Sequence, residues 1–151
     1  HFKGDALPVE QVSWEDCQEF LKKLNQKTGK KYRLPTEAEW EFAVCGGTFS
    51  TSFQYAGSND LNEVSWYSGN SGAKTHPVGQ KKANKLGLYD ISGNVWEWCA
   101  DWYGKYPANA QTNPAGPASG PRRVLRGGSW HLNARYCRVA YRDYSTPEYR
   151  Y

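Results

Sequence analysis

Apolar residues recur at helical spacing soon after the start of the chain. These residues are Trp14, Cys17, Phe20, Leu21 and Leu24. Their spacing of three or four positions, with one adjacent pair, places them on one face of an α-helix. Ser13 precedes them and is followed three positions later by Asp16, which resembles a capping box. Gly29 comes after the last of them and favours the end of a helix. The pattern therefore predicts a helix between Ser13 and Gly29.

A second helix is predicted shortly afterwards. Thr36 is a capping residue, and Glu39 stands three positions later, which completes a capping box. Trp40 lies at a position that would give this helix its inner face. The glycine pair that begins at Gly46 marks its end. Two short helices are therefore expected within the first fifty residues.

Beyond residue 48 the helical period is lost. Gly, Ser, Asn and Pro dominate as far as residue 87, and a second loop, rich in Pro, Gly and Asn, runs from 106 to 121. Alternating patterns predict strands at residues 95–100, 123–126 and 137–141. These signals place the chain in the α+β class, with an irregular fold that combines two early helices, a small antiparallel sheet and long loops.

Composition limits the kind of protein that this sequence can be. The 151 residues include 7 Trp, 11 Tyr and 15 Gly, which favours one loop-rich domain over a helical bundle. Mean hydropathy is -0.84, and no apolar run approaches the length of about twenty residues that a membrane span needs. The net charge of +4 comes from short basic clusters along the chain, which indicates a solvated face and argues against nucleic-acid binding.

The four cysteines leave two structural alternatives open. Cys17, Cys45, Cys99 and Cys137 form no CxxC motif and have no histidine at zinc spacing, so a structural zinc site is not expected. Either two disulfides or buried thiols fit them, and the candidate pairs are Cys17 with Cys45 and Cys99 with Cys137. A secreted or periplasmic location is favoured, although the cysteines alone do not fix the compartment.

The run from residue 87 to 99 combines features that packing alone rarely demands. Gly93 and Asn94 suit a tight turn with positive φ, and the residues after them alternate as a strand does. Asp90 and Glu97 would then face one another across a turn of bare carbonyl oxygens. Hard cations such as calcium bind oxygen sets of this kind. The structural alternative is that both carboxylates cap turns and accept hydrogen bonds from backbone amides.

Five segments together resemble a known family, the formylglycine-generating enzyme-like domain of the sulfatase-modifying factors. In chain order they are PVEQVSW at 8–14, YRLPTEAEWE at 32–41, GLYDISGNVWEW at 87–98, DWY at 101–103 and RGGSW at 126–130. The resemblance covers nearly the whole chain, so residues 1–151 are expected to be a single domain of this type, cut at both ends. It implies a variant of the C-type lectin fold.

The resemblance also implies ligands for metals. A structural calcium site in the family corresponds here to Asp90, the carbonyl groups of Gly93 and Val95, and Glu97. The enzymes of the family oxidise a sulfatase cysteine to formylglycine with copper and oxygen, and two cysteines hold the copper. In this chain Cys137 stands at the second of those positions.

Leu132 stands at the first copper position. Soft Cu(I) favours a pair of thiolates, and one thiolate beside an aliphatic side chain does not offer that pair. We therefore expect structural calcium, no copper, and a binding or accessory module in place of a formylglycine-generating enzyme. Its partner would be a protein or small-molecule ligand, held on the surface from Ser129 to Cys137.

Two other functions remain open from the sequence. The first is a copper-dependent or related oxidase in which Cys137 works with His131 or Cys99, with Ser129 as a further catalytic candidate that lacks a readable His/Asp partner set. The second is a ligand-display protein diversified by a retroelement, since the tail from 131 to 151 mixes the residue types of adaptable recognition surfaces. Family members usually continue to a Gly-Phe-Arg strand, so marginal stability is expected for a chain that stops at Tyr151.

Overall fold

The computed structural model of the protein describes residues 2–50 and 52–150. Three helices and three strands lie in these ranges: α1 Trp14–Thr28, α2 Glu37–Val44, α3 Leu61–Val64, β1 Glu97–Trp102, β2 Arg123–Arg126 and β3 Asp143–Ser145. Two 3-10 turns, Gly47–Phe49 and Ala134–Cys137, complete the regular structure. The α+β class and the loop-rich architecture are confirmed. None of the described helices is long and apolar enough to cross a membrane.

Both early helices begin where their caps predict. Ser13 and Asp16 exchange side-chain to backbone hydrogen bonds at the start of α1, and Thr36 and Glu39 do the same for α2. Gly29 ends α1 with φ +70°, a conformation that glycine adopts without steric cost. The expected inner face of α1 is wrong at one position, because Phe20 is largely exposed. Helix α1 has no fully buried residue and lies on the surface.

The sheet is antiparallel in the order β1-β2-β3. Glu97 pairs with Arg126 at one end of the β1–β2 ladder, and a bulge shifts the register before Trp102. Strand β1 begins at Glu97, two residues later than the alternation predicts. The strand expected at 137–141 is wrong, because Cys137 ends a 3-10 turn and the Tyr141 amide then closes a second turn onto the carbonyl of Arg138 at 3.0 Å. The chain pairs with β2 only later, through β3.

Two hydrophobic clusters hold the layers together. The first joins α2, β1 and β2 through Trp40, Val44, Ala56, Ile91, Cys99 and Val124. The second lies under the loops and contains Tyr55, Leu61, Val64 and Cys137. The loops from 52 to 87 are thus ordered by their own apolar side chains, which is what a long irregular stretch requires.

All four cysteines are free thiols. The candidate disulfide between Cys99 and Cys137 is not formed, because these residues belong to different hydrophobic clusters. Cys17 and Cys45 are half-buried and also unpaired. Of the two alternatives for the cysteines, buried thiols are therefore confirmed for Cys99 and Cys137.

A buried ionic network ties the first half of the chain to the last. Arg126 is fully buried and donates to the carboxylate of Glu41 at 2.5 Å and to the carbonyls of Val139 and Tyr141 at 2.8 Å. Arg126 Nε is buried without a hydrogen-bond partner among the described residues, whereas both Nη groups are bonded, and these bonds join α2 to β2 and the C-terminal segment.

Candidate functional site

The turn after β2 opens a cleft of about 430 Å³, here called the Ser129 cleft. Gly127 and Gly128 both have positive φ, +92° and +77°, and turn the chain so that Ser129 and Trp130 line the cleft. Gly128 also approaches Cys137 closely, since a Cβ at this position would lie 2.9 Å from the Cys137 Sγ. The glycine pair therefore serves both the turn and the close packing behind it.

Ser129 has a histidine partner that the sequence analysis did not identify. Its Oγ lies 3.1 Å from the Nδ1 of His131, which also lines the cleft. Burial lowers the pKa of His131 below its usual value, which favours the neutral imidazole. Residues 129–132 form a turn closed by the Leu132 amide and the Ser129 carbonyl, and this turn brings the two side chains together. The pair can donate and accept hydrogen bonds to a ligand.

Cys137 faces away from the Ser129 cleft. Its thiol is fully buried beside Tyr55 and Val64, and burial raises its pKa to about 11. The neighbouring Ser65 hydroxyl and Ser129 amide oppose this rise in pKa. Ser129 thus lines the cleft, whereas Cys137 packs in the cluster behind it. A thiol in this setting is protonated at neutral pH and is a poor nucleophile.

Leu132 is part of the turn that follows. Its amide donates to the carbonyl of Ser129 at 3.1 Å, and its own carbonyl accepts from the amide of Ser68 at 3.0 Å. These two bonds fix the backbone at the position where the resemblance places the first copper cysteine. The backbone is therefore firmly held, and the side chain on it offers no metal ligand.

Aromatic rings form the walls of the cleft. The sequence places tryptophans at 96, 98, 102 and 130, and of these four rings only that of Trp98 is buried. Trp96 and Trp130 are half-buried in the cleft wall, where the ring of Trp130 meets that of His131 edge to face at 5.0 Å. A concave surface with aromatic walls and a few polar groups is the usual form of a ligand site.

The predicted tight turn at Gly93 is confirmed and is held on several sides. Gly93 has φ +80°, and a Cβ there would lie 2.0 Å from the Ser65 Oγ, so only glycine fits. Asn94 has φ +61°, and its side-chain amide exchanges hydrogen bonds of 3.1 and 3.0 Å with the backbone of His76. The turn therefore presents its groups in one fixed arrangement.

Asp90 and Glu97 line a small cavity of about 310 Å³ beside this turn. Asp90 accepts the amide of Gly79 through Oδ2 at 2.7 Å, while its Oδ1 is buried and has no hydrogen-bond partner. Glu97 accepts the indole N–H of Trp40 at 2.6 Å. Burial raises the pKa of Glu97 to about 7, against the Trp40 hydrogen bond, and the charge of Asp90 adds to the rise.

This cavity fits the chemistry of a hard cation. Two carboxylates face it, one with an orphaned oxygen, and they destabilise one another's charge in the absence of a cation. Val95 also lines the cavity, and Gly93 lies in the adjoining turn. Residues 2–50 and 52–150 contain no group of three His, Cys, Asp or Glu side chains suited to a metal. A cation here would therefore need backbone carbonyl oxygens beside the two carboxylates, as calcium accepts.

Comparison with protein families gives one model that matches residues 2–151, the sulfatase-modifying factor enzyme 1-like domain. Among curated proteins, the chain is 34% identical to the chaperone protein LppX of Paenibacillus barcinonensis, over 93% of this chain and 65% of that protein. It is 37% identical to the formylglycine-generating enzyme of Streptomyces coelicolor, over 93% of this chain and 48% of the enzyme. The chain thus spans less than two thirds of the length of these relatives.

Solved structures share the same fold. Treponema denticola variable protein 1 superposes with a TM-score of 0.91 at 37% identity, covering 97% of this chain and 68% of that one. PvdO from Pseudomonas aeruginosa superposes with a TM-score of 0.84 at 28% identity, covering 99% of this chain and 60% of that one. The similarity therefore extends over nearly all of the chain and includes proteins with different names and roles.

Proposed function

Because the chain belongs to the sulfatase-modifying factor enzyme 1-like domain family, we propose that it is a binding or accessory module of that family that does not generate formylglycine. The observation that carries this proposal is the chemistry at the two copper positions. Leu132 supplies no ligand, and Cys137 is a fully buried thiol with a raised pKa. Cu(I) favours a pair of thiolates, and the two positions together carry a single thiol.

The Ser129 cleft is the proposed binding surface. Trp96 and Trp130 offer flat apolar walls, and the Ser129–His131 pair offers a donor and an acceptor between them. Such a combination suits a protein segment or small molecule with an apolar group and one or two polar atoms. The similarity to a protein named as a chaperone supports an accessory role of this kind.

We also propose that calcium stabilises the domain. Asp90 and Glu97 would bind it with their carboxylates, and Gly93 and Val95 with their backbone carbonyls. Calcium would neutralise the repulsion between the two carboxylates and lock the turn that leads into β1. Its role would be structural.

A ligand-display protein is the second candidate function. The similarity to a protein named as variable protein 1 favours it, as does the pattern of exposure in the tail, where His131, Asn133 and Arg135 are exposed and their neighbours are not. On this alternative the exposed positions vary between copies of the gene. Sequencing the surrounding genome for a near-repeat of the tail distinguishes the two functions.

The copper argument is tested with a matched pair of variants, Leu132→Cys and Leu132→Ser. The two new side chains are nearly isosteric, and only cysteine adds a thiol. We expect the wild type and Leu132→Ser to bind Cu(I) weakly and to leave a sulfatase-derived cysteine peptide unchanged. Leu132→Cys should bind Cu(I) more tightly than Leu132→Ser, as measured by competition with a Cu(I) chelator.

Aldehyde formation is the decisive readout, measured by mass spectrometry of the peptide. If the wild type converts the peptide cysteine to formylglycine in the presence of copper and oxygen, the proposal is overturned and the oxidase alternative stands. If Leu132→Cys and Leu132→Ser bind Cu(I) equally, the leucine is not what prevents copper binding.

A further inference from the structure

A second and larger cavity, of about 750 Å³, lies between α2, the end of β1 and the loop from 104 to 117. It is here called the Asp101 cavity. None of the residues that line it lines the Ser129 cleft. Its volume falls in the range of small-molecule sites in proteins, about 300 to 1,000 Å³. Neither the family's metal positions nor the proposed function uses it.

The walls of the Asp101 cavity are apolar and aromatic. Phe42 on α2 and Tyr106 on the loop line the cavity while remaining 57% and 59% exposed. Trp102 lines it from the end of β1, and three prolines of the loop, Pro107, Pro114 and Pro117, line it as well. Large apolar side chains left this open around a concavity mark a surface that a ligand can cover.

The floor of the cavity is ionic, and most of its charges are paired. Arg142 binds both oxygens of Glu37, with Nε to Oε1 at 2.6 Å and Nη2 to Oε2 at 2.7 Å. Tyr106 donates its hydroxyl to the same carboxylate at 3.2 Å. Arg126 lies beneath the cavity, and its Nη2 donates to the carboxylate of Glu41 at 2.5 Å. Each buried guanidinium therefore already has one close carboxylate.

Asp101 differs from Glu37 and Glu41, because its hydrogen-bond donor is not a guanidinium group. Its side chain lines the cavity but is only 5% exposed, and its Oδ2 accepts a neutral donor, the backbone amide of Glu37, at 2.9 Å. Burial raises the pKa of Asp101, with the charge of Glu37 adding to the rise. Lys105 also lines the cavity, but its side chain stands on the exposed part of the loop, where water screens its charge. Among the described residues, Asp101 therefore forms no direct ion pair, and the charges of Arg142 and Arg123 act on it only from a greater distance.

We propose that the Asp101 cavity is a binding site for a small organic cation, with one ammonium group on an aromatic or alkyl body. The ammonium group would lie against the carboxylate of Asp101 and form the direct ion pair that this side chain lacks. The body would cover Phe42 and Trp102, where aromatic faces also favour a neighbouring cation. This site is independent of the Ser129 cleft and holds whether or not the cleft binds its own ligand.

Three probes of the same shape and different charge test the proposal. They are 2-phenylethylamine, 2-phenylethanol and phenylacetate, titrated into the ¹⁵N-labelled protein and followed by chemical-shift changes. We expect the amine to bind with a dissociation constant of about 1 mM, as a ligand of some nine heavy atoms allows. The alcohol should bind about tenfold more weakly, because a charge-assisted hydrogen bond is exchanged for a neutral one, and phenylacetate more weakly still.

Two kinds of variant locate the site. Asp101→Asn keeps an oxygen for the amide of Glu37 and removes the charge, so it should weaken the amine about tenfold and leave the alcohol unchanged. Ala115→Trp fills the cavity from the loop and should abolish binding of both probes, whereas Ala110→Trp, on the same loop but outside the cavity lining, should leave binding unchanged.

Each outcome decides the proposal. Equal binding of the amine and the alcohol, or tighter binding of phenylacetate, would overturn the cationic specificity. Binding that survives Ala115→Trp would place the ligand elsewhere, and absence of binding up to about 10 mM amine, ten times the expected dissociation constant, would remove the site. Folding of Asp101→Asn is checked in the same amide spectra.

Discussion

Single residues beside the small cavity lined by Asp90 and Glu97 are held in conformations that most side chains avoid. Asp90 and Asn94 both have positive φ, 56° and 61°, and Asp90 buries an oxygen that has no hydrogen-bond partner. Each of these features costs folding free energy, on the order of 1 kcal/mol or more. A bound cation would offset that cost, since it satisfies the orphaned oxygen and relieves the repulsion with Glu97.

Calcium should therefore raise the melting temperature of the protein. At a free concentration one hundred times its dissociation constant, a ligand that binds only the folded state adds about 2.7 kcal/mol to the free energy of unfolding. Asp90→Asn should abolish the calcium-dependent shift, because it removes one of the two carboxylates. Differential scanning calorimetry with calcium and with a chelator measures this.

Glu19→Gln is the matched control for Asp90→Asn. It removes one carboxylate from the exposed face of α1, away from the cavity, and should keep the full calcium-dependent shift. A shift of equal size in Asp90→Asn would show that calcium acts elsewhere or through ionic strength alone.

At the scale of elements, local hydrogen bonds decide where helices begin. Helix α2 starts with the reciprocal bonds of Thr36 and Glu39, and Arg33 binds both oxygens of that glutamate at 2.6 Å. The Arg33 hydrogen bond, with the Thr36 amide second, lowers the pKa of Glu39 to about 2. The stability of the first turn of α2 therefore depends on pH through the protonation of Glu39.

Acid should weaken this start of α2 in a defined window. The folded-state pKa of Glu39 lies below its usual value, so its contribution to stability is present above about pH 4.5 and is lost as the pH falls towards 2. Glu39→Gln keeps a capping oxygen and should flatten this part of the stability–pH curve. Urea denaturation from pH 2 to pH 7 measures the effect, which will be small because the pair is half-exposed.

Arg33→Ala provides the second arm of that experiment. Since Arg33 is the main cause of the low pKa, its removal should flatten the same window as Glu39→Gln, and the double variant should add little. An unchanged slope between pH 4.5 and 2 in both variants would exclude Glu39 as its source.

For the whole molecule, the buried ionic network connects segments that are far apart in the sequence. Arg126 on β2 contacts Glu41 on α2 and two carbonyls near residue 140, and Arg142 binds Glu37 across 105 residues. The network lies beneath the Asp101 cavity and gives it a rigid floor. Stability and the shape of the proposed cation site therefore depend on the same charges.

Arg126→Met should destabilise the protein by about 3–5 kcal/mol, because it leaves buried acceptors without their donor. Arg33→Met, which breaks an exposed ion pair of similar length, should cost less than about 1 kcal/mol. Urea denaturation of the two variants measures the difference. Similar costs for both would show that burial contributes little to the network's strength.

Local patterns predicted some parts of the structure and failed at others for identifiable reasons. The helices were predictable because Ser13 and Thr36 bond groups three residues away. The strand at 137–141 was not, because two successive turns, at 134–137 and 138–141, occupy the segment despite its alternating pattern. The Ser129–His131 pair was not predicted either, because it depends on the turn that residues 129–132 form. Nothing local indicated Asp101, since its cavity is assembled from α2, β1 and two distant loops.

The sequence by itself determined the helix starts, the tight turn at Gly93, the α+β class and the family, because each rests on short-range bonding or on motifs written along the chain. Only the tertiary structure decided that Cys137 is buried behind Ser129, that Cys99 lies in a different cluster, and that Asp101 is a buried carboxylate whose hydrogen-bond donor is a backbone amide. The burial of a side chain and the pairing of its charge depend on all the residues that folding brings around it. The spacing of residues along the chain does not predict either.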